Sequence, residues 1–316
     1  MKQTLAFTLL LLFFAIEGYG QQERRYVQIE PVLTQYMFNI QPINPAYTGM
    51  WEKVGFTSLI RKQWAGINRS PLTQVFSFHT PLNTKVAVGL NVTNDNFGLE
   101  SKLGVFGDYA YEVAVTPRTR LRLGLKYGFV NYKNPLTMYR LYPDGKYDHA
   151  FAEDVDLKFL PNFGIGAFLY QDFYYISLSI PKMLKNDYRA NINNYNIEAQ
   201  IQTVYLSAGY VFRFIRYNYL IFKPTMMVTA TWGLPLQYDV GANFMLREKL
   251  WLGAMMRSGN AVSFVTKWIM DNNLRLGFAM DLTYNEIFPY QYGTYEFSVG
   301  FNTDFFGRSY IRAKYF

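Results

Sequence analysis

Residues Lys85–Thr93 read KVAVGLNVT. Extended, this stretch sets Val86, Val88, Leu90 and Val92 on one face and Ala87, Gly89, Asn91 and Thr93 on the other, a period of two that a helix cannot carry. Leu121–Phe129, LRLGLKYGF, repeats the split, with Leu121, Leu123, Leu125, Tyr127 and Phe129 opposing Arg122, Gly124, Lys126 and Gly128. YDVGANFMLR from Tyr238, LRLGFAMDL from Leu274 and YEFSVGFN from Tyr295 follow the same rule. One face is bulky and apolar. The other mixes glycine with charge and takes Asp108, Glu112, Arg122, Lys126, Arg213, Asp239, Arg247, Arg275, Asp281 and Glu296.

A soluble β-sandwich alternates as well, so the connections have to separate the two. Tight polar turns at Pro81–Thr84, Thr116–Thr119, Tyr170–Asp172, Arg216–Asn218, Arg247–Lys249 and Asp271–Asn273 alternate with longer segments: TNDNFGLES from Thr93, Asn131–Leu160 and Pro181–Gln200. Outer-membrane barrels have short periplasmic turns and longer external loops, whereas a Greek-key sandwich has no reason to keep that parity. The closing Tyr315-Phe316 pair resembles the terminal aromatic signal of such barrels. The expectation is an all-β fold, an antiparallel outer-membrane β-barrel of about 14 strands between Lys53 and Asp304.

Composition agrees. Aromatic residues make up 19% of the 316, with 27 Tyr and 27 Phe, yet mean hydropathy is only -0.07. Such a chain suits a wall one residue thick, oily outside and wet inside. The net charge of +8 is dispersed, which argues against a nucleic-acid partner. With no cysteine, stability must come from packing and ladder hydrogen bonds. The chain opens MKQTLAFTLLLLFFAIEGYGQQ, and its apolar run Leu5–Ile16 is shorter than the ~20 residues a spanning helix needs. Residues 1–20 are therefore expected to be a signal peptide, and no cysteine follows for a lipid anchor. Residues 305–316, with Arg308, Arg312 and Lys314, are expected to form a short basic periplasmic tail.

Catalytic chemistry lacks its parts. His79 and His149 lie far apart and no thiol accompanies them, so no zinc site, cofactor site or activated nucleophile is expected. His79 is read as an interface or turn residue, and the acidic run Glu153–Asp156 as a solvated external loop without calcium-loop spacing. Trp64, Trp232, Trp251 and Trp268 are read as membrane-interface girdle residues.

Residues 21–52 remain as an N-terminal arm. Its segment Gln35–Gly49, QYMFNIQPINPAYTG, cannot be a regular element, because Pro42 and Pro45 lack backbone donors. The arm either hangs in the periplasm or folds back into a polar lumen, where irregular backbone is tolerated. A plug is the expectation, with Asn39 and Asn44 pairing to backbone and Tyr36, Met37, Phe38 and Tyr47 as apolar anchors.

QYMFNIQPINPAYTG, followed by RKQWAGINRSPLTQVFSFHTPL and KVAVGLNVTNDNFG, resembles the PorP/SprF family of outer-membrane proteins of type IX secretion and gliding motility in Bacteroidota. Gln35, Tyr36, Met37, Asn39, Asn44, Pro45 and Ala46 match the family's opening pattern. Arg61, Gln63, Trp64, Pro71, Thr73, Gln74 and Pro81 match its second, and Asn94, Asp95 and Gly98 its third. Arg69 departs from the acidic residue and glycine more often found near that position. The resemblance implies a non-enzymatic component that holds an exported cargo or adhesin, by its C-terminal targeting domain, at the cell surface. It implies further partners among periplasmic ring or peptidoglycan-associated proteins, with outer-membrane lipid around the wall. INPAYTG also resembles the NPA signature of FadL-type barrels, which have an N-terminal hatch; a transporter of small hydrophobic molecules is the alternative that this implies.

Overall fold

Fourteen antiparallel strands close into a single barrel. The computed structural model describes residues 30–51, 53–139, 151–185, 202–214, 220–259, 261–270, 273–303 and 315. The strands are β1 Val54–Lys62, β2 Leu72–Pro81, β3 Val86–Phe97, β4 Glu100–Ala114, β5 Arg120–Asn134, β6 Val155–Gln171 and β7 Tyr174–Ile180. They continue with β8 Thr203–Tyr210, resumed at Phe212–Arg213, then β9 Leu220–Thr231, β10 Gln237–Leu246, β11 Leu250–Arg257, β12 Ala261–Ile269, β13 Leu274–Thr283 and β14 Thr294–Thr303. Each strand pairs with the next, and β14 returns to β1 from Val54↔Thr303 to Lys62↔Tyr295. This closure removes the open edge strands that a flat sheet would offer another chain.

The alternation fixes which way the wall faces. On β5, Leu123, Leu125 and Tyr127 are exposed outward while Arg122 and Lys126 are buried inward, and β10, β13 and β14 repeat this. An inverted arrangement would put the charges into hydrocarbon.

One end of the barrel carries the turns 82–85, 115–119, 172–173, 247–249 and 270–273; the other carries the longer connections 63–71, 135–154, 181–202 and 284–293. The expected parity is looser than the sequence suggests. β3 and β4 run on to the two-residue turn Gly98-Leu99, with Gly98 at φ +63°, where a long TNDNFGLES loop was expected. Residues 232–236 and 258–260 are also short at the loop end. Strands β5 and β6 stay paired out to Asn134↔Val155, and β6 runs on past β7, so the Asn131–Leu160 connection shrinks to 135–154 and Val155 and Asp156 of the acidic run become strand. Asp156 pairs with Lys133 at 3.7 Å, and Asp154 caps Thr137 by accepting from its backbone nitrogen at 3.0 Å.

Residues 30–51 lie inside the barrel. They contain only two single-turn 3-10 helices, Tyr36–Phe38 and Pro45–Tyr47. Ile40 and Ala46 are completely buried, and Tyr36, Met37, Tyr47 and Met50 nearly so. The barrel thus has a core made by its own leading segment. The expected signal peptide, the tail residues Arg308, Arg312 and Lys314, and Arg216 lie outside the described residues.

Candidate functional site: the arm and the lumen wall

The arm runs the length of the lumen. At the loop end, the Glu30 carboxylate meets Lys102 at 2.7 Å and Lys182 at 2.8 Å. Burial alone would raise that carboxyl group; the two ammonium groups override it and hold it well below the usual carboxylate range. One turn further, the backbone nitrogens of Thr34 and Gln35 donate to the two oxygens of Glu296 at 2.6 and 3.0 Å. Arg61 ties this level together, reaching Glu296 at 2.6 Å, Asp281 at 2.9 Å and Thr34 Oγ1 at 2.9 Å. At the Arg61 level all of these groups are buried, and the charges meet one another as well as the arm's backbone.

The middle of the arm is read by side-chain amides. Asn39 Nδ2 donates to Ser77 Oγ at 3.1 Å, and Gln41 Nε2 donates to Phe78 O at 2.8 Å and Asp108 Oδ2 at 3.1 Å. Asn44 Nδ2 donates to Ala167 O at 3.0 Å and Ser177 Oγ at 2.7 Å, while its Oδ1 accepts from Ala46 N at 2.9 Å and caps the turn that Pro45 begins. Opposite this Asn-Pro-Ala turn the wall is bare: Gly124 and Gly166 face each other on β5 and β6, and a Cβ on either would run into Ala46 N or Asn44 Oδ1. These glycines let two backbones approach at side-chain distance.

At the turn end, Arg122 donates to Ala46 O at 3.1 Å and to Thr48 O, and is countered by Glu112 at 3.3 Å. Trp51 Nε1 donates to the Tyr47 hydroxyl at 3.1 Å.

Of the residues singled out from sequence, Gln35, Tyr36, Met37, Asn39, Asn44, Pro45, Ala46 and Arg61 all gather in the lumen. The remainder separate from them. Thr73 and Asp95 face inward near the loop end and share a hydrogen bond of 2.5 Å. Asn94 faces outward and donates to Gln74 Oε1 at 3.1 Å. Gln63, Trp64 and Pro71 belong to the connection after β1, where Gln63 N donates to Pro71 O at 2.9 Å. Trp64 meets Phe97 edge-on at 6.5 Å, outside the arm's dock. Arg69 seats that connection on the β3–β4 turn, its carbonyl accepting from Gly98 N at 3.0 Å.

Two readings by residue type and two by alternation are corrected by the register. Trp251 is an inward residue beneath Phe38, at 6.0 Å between ring centroids, and not a girdle residue; Trp268 and Trp232 are exposed. His79 also points into the lumen, behind Gly55. Arg247 sits in a tight turn at φ 50° and Arg213 on the rim over the Phe173 ring, so neither joins the inner face. The buried cations Lys223 and Lys267 were not singled out; counting in twos along β9 and β12 from Thr225 and Val265 would have found them.

A family model described as type IX secretion system membrane protein PorP/SprF matches residues 26–301. The chain belongs to the PorP/SprF family. This PorP/SprF barrel is an outer-membrane protein, so its turn end faces the periplasm and its loop end the exterior. Among solved structures it is similar to the CymD monoaromatic hydrocarbon channel, at 11% identity over 87% of this chain and 93% of that one, with a TM-score of 0.49. It is also similar to a Pseudomonas aeruginosa FadL homologue, at 11% identity over 87% and 95%, with a TM-score of 0.45. Acinetobacter baumannii Omp33 follows at 10% identity over 80% and 100%, with a TM-score of 0.47. These likenesses say nothing about what the PorP/SprF barrel binds. No curated protein matches the sequence.

Proposed function

We propose that the barrel is a closed anchoring component of the type IX system: it receives the C-terminal targeting domain of an exported cargo or adhesin at the outer surface and holds it there. The observation that supports this reading is the continuous series of arm-to-wall bonds from Glu30 to Thr48, which leaves the lumen filled and the outer connections as the exposed working surface. A filled lumen favours binding by shape and main-chain pairing over passage of a chain through the pore. Connections 135–154 and 181–202 are the cargo-facing candidates. The periplasmic turns with Arg118, Arg247 and Lys249 face the ring or peptidoglycan-associated partners. The role is not enzymatic. A hydrocarbon conduit would need a continuous apolar path, and the voids beside Phe38 are about 20 Å³ each and lined by Lys267 and Arg275.

Two measurements test the proposal. Planar-bilayer recording of the intact chain is expected to show little conductance, and large stable ungated channels would overturn the closed state. Deleting Asn44–Ala46 removes the turn seated on Gly124 and Gly166, so cargo display on the cell surface is expected to fail while the barrel still shifts on heating in gels. Undiminished display would detach the arm from the function.

A further inference from the structure

Inside the lumen, charge is balanced unevenly. Arg61, Lys102, Arg122, Lys126, Lys182 and Arg257 each meet a carboxylate within 3.4 Å. Lys223, Lys267 and Arg275 meet none among the described residues, although all three are buried and lie near the periplasmic ends of β9, β12 and β13. Rings take part of the burden: Lys267 lies 4.4 Å from the Phe38 centroid, Arg275 4.1 Å from Trp51, and Lys223 4.8 Å from Trp251. A ring face offers only a quadrupole to a desolvated cation, well short of a counter-charge.

Two small voids flank Phe38, and Lys267 and Arg275 line both. The void on the β1 and β14 side is also lined by Gln35, Thr57 and Ser298. Gln35 Oε1 accepts from Ser298 Oγ at 2.7 Å, which leaves its Nε2 a buried donor without a partner. Two cations and an orphaned amide donor on one void, with no acceptor of matching charge, describe the complement of an anion. We propose that this void is a binding site for a single small monoanion of halide size, held by Lys267, Arg275 and Gln35 Nε2. A space of about 20 Å³ admits one or two water-sized groups, so phosphate esters and larger anions are excluded. Since Phe38 and Gln35 belong to the arm, the anion locks the arm's middle to the periplasmic half of the wall.

The test is a bromide soak of crystals of the full chain. An anomalous peak between Lys267 Nζ, the Arg275 guanidinium and Gln35 Nε2 is expected. The Lys267→Met/Arg275→Gln double variant is expected to lose the peak. At constant ionic strength, bromide is expected to raise the thermal midpoint of the detergent-solubilised barrel by several degrees, and the single variant Lys267→Met to abolish that rise even where the double variant folds poorly. A void that holds only water, or a peak that survives in the double variant, overturns the proposal.

Discussion

The outer and inner halves of the lumen hold the same arm by different means. In the outer half the contacts are ionic and directional: Glu30 between Lys102 and Lys182, Arg61 between Asp281 and Glu296, and Arg257 on Asp239 at 3.0 Å. In the inner half, on the side of β9 to β13, rings and buried aliphatic groups dominate: Phe38 on Trp251, with Ile40, Met50 and Ile221 in one apolar cluster. Charged contacts fail in large steps when one partner goes, because the orphaned charge stays buried. Apolar contacts fail in proportion to the area and shape lost. The outer half therefore specifies register, while the β9–β13 side of the inner half supplies adhesion opposite the Arg122 contacts to Ala46 O and Thr48 O.

Arg61→Met is the strongest way to break this difference. It leaves Asp281 and Glu296, both buried, without their shared cation, at an expected cost of about 3–5 kcal/mol. The urea midpoint of the refolded barrel should fall accordingly, and bilayer conductance should rise as the arm's outer half lifts. Arg61→Lys should recover only part of the loss, since one ammonium cannot span both carboxylates and Thr34 Oγ1. A midpoint unchanged by Arg61→Met would show that the arm's outer end is not held by these charges.

Trp251→Leu probes the inner half. It removes the ring from Lys223 and from Phe38 together, a loss of about 2–3 kcal/mol from cation–π and aromatic terms. The expected consequence is a smaller fall in midpoint than for Arg61→Met, with the outer end still docked. The chain has no cysteine, so a Thr34→Cys/Asp281→Cys pair, built where the native groups lie 2.8 Å apart, should still crosslink in the Trp251→Leu background. Loss of that crosslink would mean that both halves release as one unit.

How much of this was legible in the sequence follows from range. Period two is local, so the inward positions of Arg122, Asp239 and Glu296 could be counted off within single segments. Partner choice is not local: Arg61 meets Glu296 across 235 positions, and only ring closure of β14 on β1 brings them level. Trp251 and His79 were misplaced for a related reason, because a tryptophan or histidine near a strand end suits a girdle by type, while the register puts these two inside. The Gly124 and Gly166 recess was visible as glycine on the charged face, but its occupant, the Asn-Pro-Ala turn, lies 78 or more positions away in the chain. The looser loop parity came from the length of β3 and β4, which no propensity at Thr93–Ser101 announced.

Glu30→Gln should give the smallest effect and the most diagnostic pH profile. Glu30 sits at the outer rim with about 19% of its side chain exposed, and glutamine keeps its shape and one acceptor, so the expected loss is about 1–2 kcal/mol. Because the folded carboxyl group is held well below its ordinary value of 4.5, its contribution is present in full above that value and is lost as the pH falls below it towards the depressed folded value. The difference in midpoint between wild type and Glu30→Gln should therefore be level through neutral pH and narrow only in acid below 4.5. A gap that already closes on the neutral side of that value would mean that Lys102 and Lys182 do not depress the carboxyl group, and that the rim holds the arm by shape, as the inner half does.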